Sequence, residues 1–276
     1  MAQHPFERVL LVTEHTEFDA GAERLAFDIV RACGIGLKAV FPVVRNMEYE
    51  VVSPALAERT ARELSQKVES LKEVARTNGV SLDLVVAPCD EAHVAIVGEA
   101  RNYGADLIVA RRRGRRSFLS NFLIGEMVSK VAAEAPCSML FVPRHAHLWS
   151  QAILAALDMP GDAQGVANLA ARVATACGLP LTLLHVTGQE APAAGVALAQ
   201  VAVRVARVGA LVDHVVVAGK PADMILEVAK MKQADLVVVG RHRGGKLLKL
   251  PFGATTRKVI GNAEVPVLVV KGDGMS

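Results

Sequence analysis

Gly240 opens the stretch Gly-Arg-His-Arg-Gly-Gly-Lys-Leu-Leu-Lys-Leu-Pro-Phe-Gly253-Ala-Thr-Thr, a glycine-rich basic loop that runs into the start of a helix. Backbone N–H donors, the positive end of a helix dipole and cationic side chains then converge, and the ligand such a place suits is an anion, above all a phosphate. Asp158, Val186, Gly219 and Gly240 each fall at or just after the end of a short apolar run. In an open parallel sheet those are the positions that face a ligand, beyond the carboxyl ends of the strands and where strand order reverses.

Other patterns carry less. Gly240-x4-Gly245-Lys246 has the beginning of a Walker A loop, but Leu247 stands where Ser or Thr would reach magnesium. His145-x-His147 could ligate a metal, yet no third ligand is close in sequence, and two connector histidines are the plainer reading. Cys33, Cys89, Cys137 and Cys177 form no C-x-x-C pair and read as reduced, partly buried thiols. The run Arg111-Arg112-Arg113-Gly114-Arg115-Arg116 is the densest charge in the chain and occupies the same kind of loop as Arg241 to Lys246. It reads either as an anion contact or as a solvated loop. No aromatic residue interleaves it to stack bases, so it does not point to nucleic acid.

The elements that position these residues come from an internal repeat. Glu14 aligns with Asp158, Leu25 with Leu169 and Cys33-Gly34 with Cys177-Gly178, an offset of 144 residues. Ile96 aligns with Ile225 and Ala105-Asp106-Leu107 with Ala234-Asp235-Leu236, at 129; Gly125 aligns with Gly253 and Lys130-Val131 with Lys258-Val259, at 128. The offset drops once, where the long charged segment Ala55–Asn78 gives way to the shorter, apolar Ala191–Val208. Two copies of one domain are expected, 1–145 and 150–276, with a seam at Pro143 to Ser150.

Each copy alternates apolar runs with segments of helical spacing. The expected strands are Arg8–Thr13, Leu37–Val44, Leu82–Ala87, Asp106–Ala110 and Ser138–Val142, then Ala152–Leu157, Leu181–Val186, Val212–Ala218, Asp235–Val239 and Pro266–Val270. Continuous Val/Leu/Ile runs suit parallel strands covered on both faces. The expected fold class is therefore α/β: two tandem doubly wound, five-stranded parallel sheets of Rossmann-like type. Asp90 is the expected N-cap of the third helix, Pro221 suits a first helical turn, and Gly34, Gly79 and Gly178 suit C-caps. The apolar face of Ala191–Val208 suggests burial against the other half or another chain, or a well-covered core helix.

The order Asp158 … Leu-Leu-His-Val186 … Gly219-Lys-Pro-Ala … Ala-Asp-Leu-Val-Val-Val-Gly240 … Gly253 … Val-Pro-Val-Leu-Val-Val270 resembles the universal stress proteins of the tandem type, over essentially the whole chain. That resemblance implies an adenine nucleotide alpha hydrolase-like fold and pairing of the two halves through their last strands, as in a dimer of single domains; a homodimer of the chain is a further expectation. Nucleotide-binding members carry G-x2-G-x9-G-[S/T] after the fourth strand. By similarity Asp158 and Val186 meet adenine and ribose, the glycine motif at Gly240, Arg243, Gly244, Gly253, Ala254 and Thr255 cradles the phosphates of ATP, and Gly219 is implicated in the same site. Arg243 stands at the second glycine position, with Gly244 one residue late, and Ala254 replaces the Ser/Thr. The first half departs further: Glu14 replaces the aspartate, Asp90 and Arg111 replace glycines, and Glu126 follows Gly125.

Composition bounds the rest. The chain has 276 residues, 52% hydrophobic, 4% aromatic and 21% charged, with a formal net charge of +3. That excludes disorder and a disulfide-stapled scaffold, and the net charge is too small to imply nucleic acid. Mean hydropathy is +0.33, but no clean window of about 20 apolar residues exists. With no signal-peptide pattern at the N-terminus, a cytoplasmic protein is expected. The expected function is a stress-response sensor or partner-binding switch that binds ATP or a related nucleotide in its second half; the alternative is an interaction module with both sites decayed. An adenylyl- or phosphoryl-transfer enzyme would need an acid–base or metal constellation, and the strand ends offer only Asp158. No metal is assigned, and at most slow ATP hydrolysis is expected.

Overall fold

Strand and helix alternate through the chain as the spacing of its apolar residues dictates. The computed structural model describes residues 4–44, 54–112, 126–159, 163–188, 192–241 and 252–272. The first half contains β1 (Val9–Val12), α1 (Ala20–Cys33), β2 (Leu37–Val44), α2 (Pro54–Thr77), β3 (Leu82–Cys89), α3 (Ala92–Tyr103), β4 (Leu107–Arg111), α4 (Glu126–Glu134) and β5 (Ser138–Val142). The second contains β6 (Ile153–Ala156), α5 (Ala163–Cys177), β7 (Pro180–Thr187), α6 (Pro192–Ala206), β8 (Leu211–Ala218), α7 (Pro221–Met231), β9 (Leu236–Gly240), α8 (Ala254–Asn262) and β10 (Val267–Val270).

The two five-stranded sheets are joined into one of ten strands, in the order β3-β2-β1-β4-β5-β10-β9-β6-β7-β8. Within each half every pairing is parallel; β5 and β10 meet antiparallel, with Leu140 opposite Leu268 and Met139 opposite Val269. The last strands of the halves therefore pair, as the resemblance implies. Because the order is a palindrome about an antiparallel pair, the carboxyl ends of the two sets of strands point to opposite edges of the sheet. Strand order reverses between β1 and β4 in one half and between β6 and β9 in the other.

Period-2 alternation sends successive strand residues to opposite faces. Leu11, Val109, Leu140, Ala155, Val238 and Leu268 share one core, with α1 and α5 over it. Leu10, Ile108, Phe141, Leu154, Val237 and Val269 share the other, with α3, α4, α7 and α8. Each core runs across both halves, and Phe141 and Phe252 meet edge to face over the seam, with ring centroids 5.8 Å apart. Asp106 accepts the N–H groups of Glu7 and Arg8, and its repeat partner Asp235 accepts those of Ser150, Gln151 and Ala152, so each half fixes the entry to its first strand in the same way.

The connector from 143 to 150 is packed rather than loose. Trp149 is buried and donates its indole N–H to Cys177 Sγ, and Arg24 donates to the carbonyl of Ala146. Gly21 is needed where the connector crosses α1, since a Cβ there would lie 2.2 Å from the carbonyl oxygen of Pro143. His145 and His147 are exposed in this connector. Three expectations are corrected or decided by the structure. The N-cap of α3 is Glu91 rather than Asp90, because the helix starts at Ala92. α6 does not pack on the other half; it lies on α5, β7 and β8 with Leu198, Val201 and Val205 inward, and leaves Val196 and Val203 exposed. Cys177 is an exposed thiol, while Cys33 and Cys137 are buried and Cys89 is intermediate.

Candidate functional site

At the second reversal the paired strands β6 and β9 end side by side, with the first turns of α5 and α8 against Gly240. Asp158 lies two residues past the end of β6 and is exposed. Val186 is half-buried near the end of β7, opposite Val217 of β8. Gly219 follows β8 with φ +149°, donates its N–H to the carbonyl of Thr187 at 2.9 Å, and leaves room that a Cβ would contest at 2.8 Å from Met224 Cγ. Gly240 ends β9 against the first turn of α5, where a Cβ would approach Val166 Cγ2 to 3.3 Å.

Gly253 is the N-cap of α8, in extended conformation and with no side-chain cap, and Ala254 and Thr255 form the first turn. The first N–H groups of a helix have no partner within it and carry the positive end of its dipole. Thr256, buried, donates its hydroxyl to the carbonyl of Gly240 at 3.1 Å, which ties that helix start to the end of β9. His185 Nδ1 sits 2.9 Å from the carbonyl oxygen of Leu157 and fixes the backbone ahead of Asp158. The Thr256–Gly240 bond thus brings the Gly253, Ala254 and Thr255 start of α8 to the end of β9, beside the end of β6 that leads to Asp158, while Val186 and Gly219 lie at the ends of β7 and β8. Thr256 and His185 were not singled out from sequence; their signal was only adjacency to Thr255 and Val186. Arg243 and Gly244, with His242, Gly245, Lys246, Leu247 and Lys249, lie outside the described residues.

The corresponding place in the first half is filled by the chain itself. Arg111, at the position of Gly240, points its guanidinium at Glu14 Oε2 (3.0 Å) and Asp19 Oδ1 (3.4 Å) and bonds Thr16 Oγ1 at 3.1 Å. Glu14 aligns with Asp158, and Asp19, only 1% exposed, aligns with Ala163. Asp19 also accepts the N–H of Thr16 at 2.9 Å. A cation is held here between two carboxylates that would repel a phosphate, at the position where the second half has Gly240, with no side chain. The basic run thereby loses its first two members as solvent-facing charges: Arg111 turns to the carboxylates and Arg112 to main-chain carbonyls. Arg113, Gly114, Arg115, Arg116 and Gly125 lie outside the described residues. Asp90 is exposed beyond β3. Lys130, beside Glu91, holds that carboxyl below its ordinary range. Among the described residues no group of three or more His, Cys, Asp or Glu is placed to hold a metal ion.

Comparison with known proteins agrees with this architecture. The family model described as the universal stress protein family matches residues 5–143 and again 150–271. A stress response protein, NhaX, of Bacillus subtilis is 38% identical over 59 residues, 21% of this chain and 36% of that protein. The universal stress protein MJ0531 of Methanocaldococcus jannaschii is 45% identical over 53 residues, 19% of this chain and 31% of its own length. The chain thus aligns with about a third of each of these relatives. A solved universal stress protein from Archaeoglobus fulgidus superposes with a TM-score of 0.73 at 22% identity, covering 98% of both chains, a likeness of fold.

Proposed function

The chain belongs to the universal stress protein family, and from that premise we propose that its second half binds ATP or a related adenine nucleotide, the protein acting as a cytoplasmic stress sensor or partner-binding switch. The observation that carries this reading is the contrast between the repeats. Arg111, Asp19 and Glu14 fill the first-half place with an ion pair, and the second half has Gly240, Ala163 and Asp158 at those positions, without the guanidinium and without the second carboxylate. In this reading Asp158 and the backbone near Val186 take the adenine and ribose, and Gly219, Gly240 and the α8 start at Gly253, Ala254 and Thr255 take the phosphates. Arg243 and Gly244 belong to the loop that would close over them; a guanidinium can grip phosphate even where a Cβ impedes close backbone approach. The domains are 1–145, with a degenerate site, and 150–276, with the working one.

At most slow hydrolysis is expected there, with Asp158 past the end of β6 and no arranged base among the described residues. No described helix is long and apolar enough to cross a membrane. Calorimetric titration of ATP into the Gly253→Asp and Gly125→Asp variants tests the reading. Only Gly253→Asp should abolish binding. Equal loss from both places the site wrongly, and no binding by the unaltered chain leaves an interaction module with both sites decayed.

A further inference from the structure

The half whose nucleotide crevice is closed holds a second constellation that the family motif does not use. Ser70 Oγ, on the exposed side of α2, lies 3.0 Å from His15 Nε2. The other ring nitrogen, His15 Nδ1, lies 3.0 and 3.2 Å from the two carboxylate oxygens of Glu23. Glu23 is 6% exposed in the first turn of α1 and also accepts the Thr13 hydroxyl at 2.6 Å. Thr13 Oγ1 in turn accepts the His15 N–H at 2.9 Å. His15 has φ +45°, one of two positive-φ residues other than glycine among those described, so its backbone is held where few side chains go. A mere tie between α2 and the β1 loop needs one Ser–His bond. It needs neither a buried carboxylate on the far nitrogen nor a strained backbone to aim the ring.

The second half lacks the set: Met159 and Ala167 stand where His15 and Glu23 would recur. We propose that Ser70, His15 and Glu23 form an acyl-transfer centre, with Ser70 the nucleophile, His15 its general base and Glu23 the positioning residue that holds the imidazole with its proton on Nδ1. The substrate class is a carboxylic ester with a short acyl chain, since Ser70 lies on an open helix face that does not enclose a long one. Ser70 Oγ attacks the acyl carbon and its proton passes to His15 Nε2. The ester C–O bond breaks, and the alcohol leaves with that proton. Water then attacks the acyl-serine, gives its proton to Nε2, and Ser70 recovers it as the acid departs; nothing is oxidised or reduced. Lys67, one turn before Ser70 on the same face, donates from Nζ to the carbonyl of Glu14 at 3.3 Å, so its charge is held over the loop beside His15 and can offset the developing oxyanion.

The full-length chain treated with a fluorophosphonate probe, then digested and mapped by mass spectrometry, should carry the adduct on the Ser70 peptide, and p-nitrophenyl acetate should be hydrolysed. Ser70→Ala, at an exposed position, should remove both signals. His15→Asn keeps a residue type that tolerates left-handed backbone and should slow labelling about 10²–10⁴-fold, the usual worth of a general base, with an unchanged circular dichroism spectrum. Glu23→Gln should lower kcat for p-nitrophenyl acetate with KM unchanged, which loss of packing alone would not do. An unlabelled Ser70, or equal labelling rates in the unaltered and His15→Asn chains, overturns the proposal; should His15→Asn unfold, His15→Gly serves as the same comparison.

Discussion

Arg112 and Arg241 occupy one position of the repeat, and each closes the carboxyl end of a helix in the opposite half. Arg112 donates from Nη1 to the carbonyls of Ile260 at 3.1 Å and Gly261 at 3.4 Å, and to that of Ala263. Arg241 donates from Nη1 to Ala132 and Ala135 O, both at 3.0 Å. The last carbonyls of a helix lack intrahelical donors and carry the negative end of its dipole, so a guanidinium is well matched to them. Both arginines follow the end of a fourth strand, Arg112 beside the Arg111 that fills the first-half place and Arg241 beside Gly240. The backbone at each candidate site is thereby anchored to the other half.

Replacing Arg241 by Ala should cost about 1.5–3 kcal/mol, the scale for hydrogen bonds to a charged group, read by urea denaturation. Amide exchange should quicken at the end of α4, in the half that was not altered. Faster exchange confined to the second half would mean that the clasp does not join the halves.

Val269 is buried in β10 opposite Met139 of β5, at the one pairing that joins the two sheets. Val269→Asp puts an unpaired charge into the core that Val269 shares with Phe141 and should cost at least about 3 kcal/mol. Because both cores cross this seam, the two halves should still lose structure in one transition. Survival of a native first half, seen as two separate melting steps, would contradict that.

The repeat made the fold legible. Matching pairs such as Ala105-Asp106-Leu107 and Ala234-Asp235-Leu236 give both the strand and the carboxylate that fixes its neighbour's entry. The places of Asp158, Gly219 and Gly240 at strand ends and of Gly253 at a helix start were legible for the same reason. What stayed hidden depends on partners remote in sequence. Arg111 looks like one of a run of solvated cations, and only the fold brings Glu14 and Asp19 to it across more than ninety positions. Ser70 and His15, fifty-five residues apart, gave no pattern along the chain. The apolar face of α6 left open what covers it: Leu198, Val201 and Val205 turn into its own half, and Val196 and Val203 stay exposed.

Cys137 gives a pH prediction. Burial pushes its thiol from 9.0 up to about 12, with nearby Asp106 adding to the rise. In the unfolded chain the thiol ionises near its ordinary value, so below that pH both states hold the proton and the stability is fully present. As pH rises from about 9 toward 12 the unfolded state loses the proton first, and stability falls by about 1.4 kcal/mol per pH unit from this group. The urea midpoint should therefore drop across that window, and less steeply in Cys137→Val. Equal slopes in the two chains would remove Cys137 as the cause. At pH 8 a thiol reagent should modify the exposed Cys177 well before Cys137.

Gly240→Arg installs in the second half the residue that closes the first. A Cβ there approaches Val166 Cγ2 to 3.3 Å, a contact that a shift of a few tenths of an ångström relieves, so the chain should fold with little loss of stability. The new guanidinium stands to Asp158 as Arg111 does to Glu14, where the N–O distance is 3.0 Å. It would engage Asp158, which the proposed reading gives to adenine and ribose, and occupy the place beyond the carboxyl ends of β6 and β9. Affinity for ATP should fall by at least about 100-fold, or roughly 2.8 kcal/mol, in calorimetric titration. The reverse change, Arg111→Gly, should not create a second site. It strips the counter-ion from Glu14 and the buried Asp19, which costs stability and leaves two carboxylates facing any phosphate. Undiminished binding by Gly240→Arg would place the nucleotide elsewhere, and a binding stoichiometry of two in Arg111→Gly would show that the guanidinium, not the carboxylates, is what keeps the first half closed.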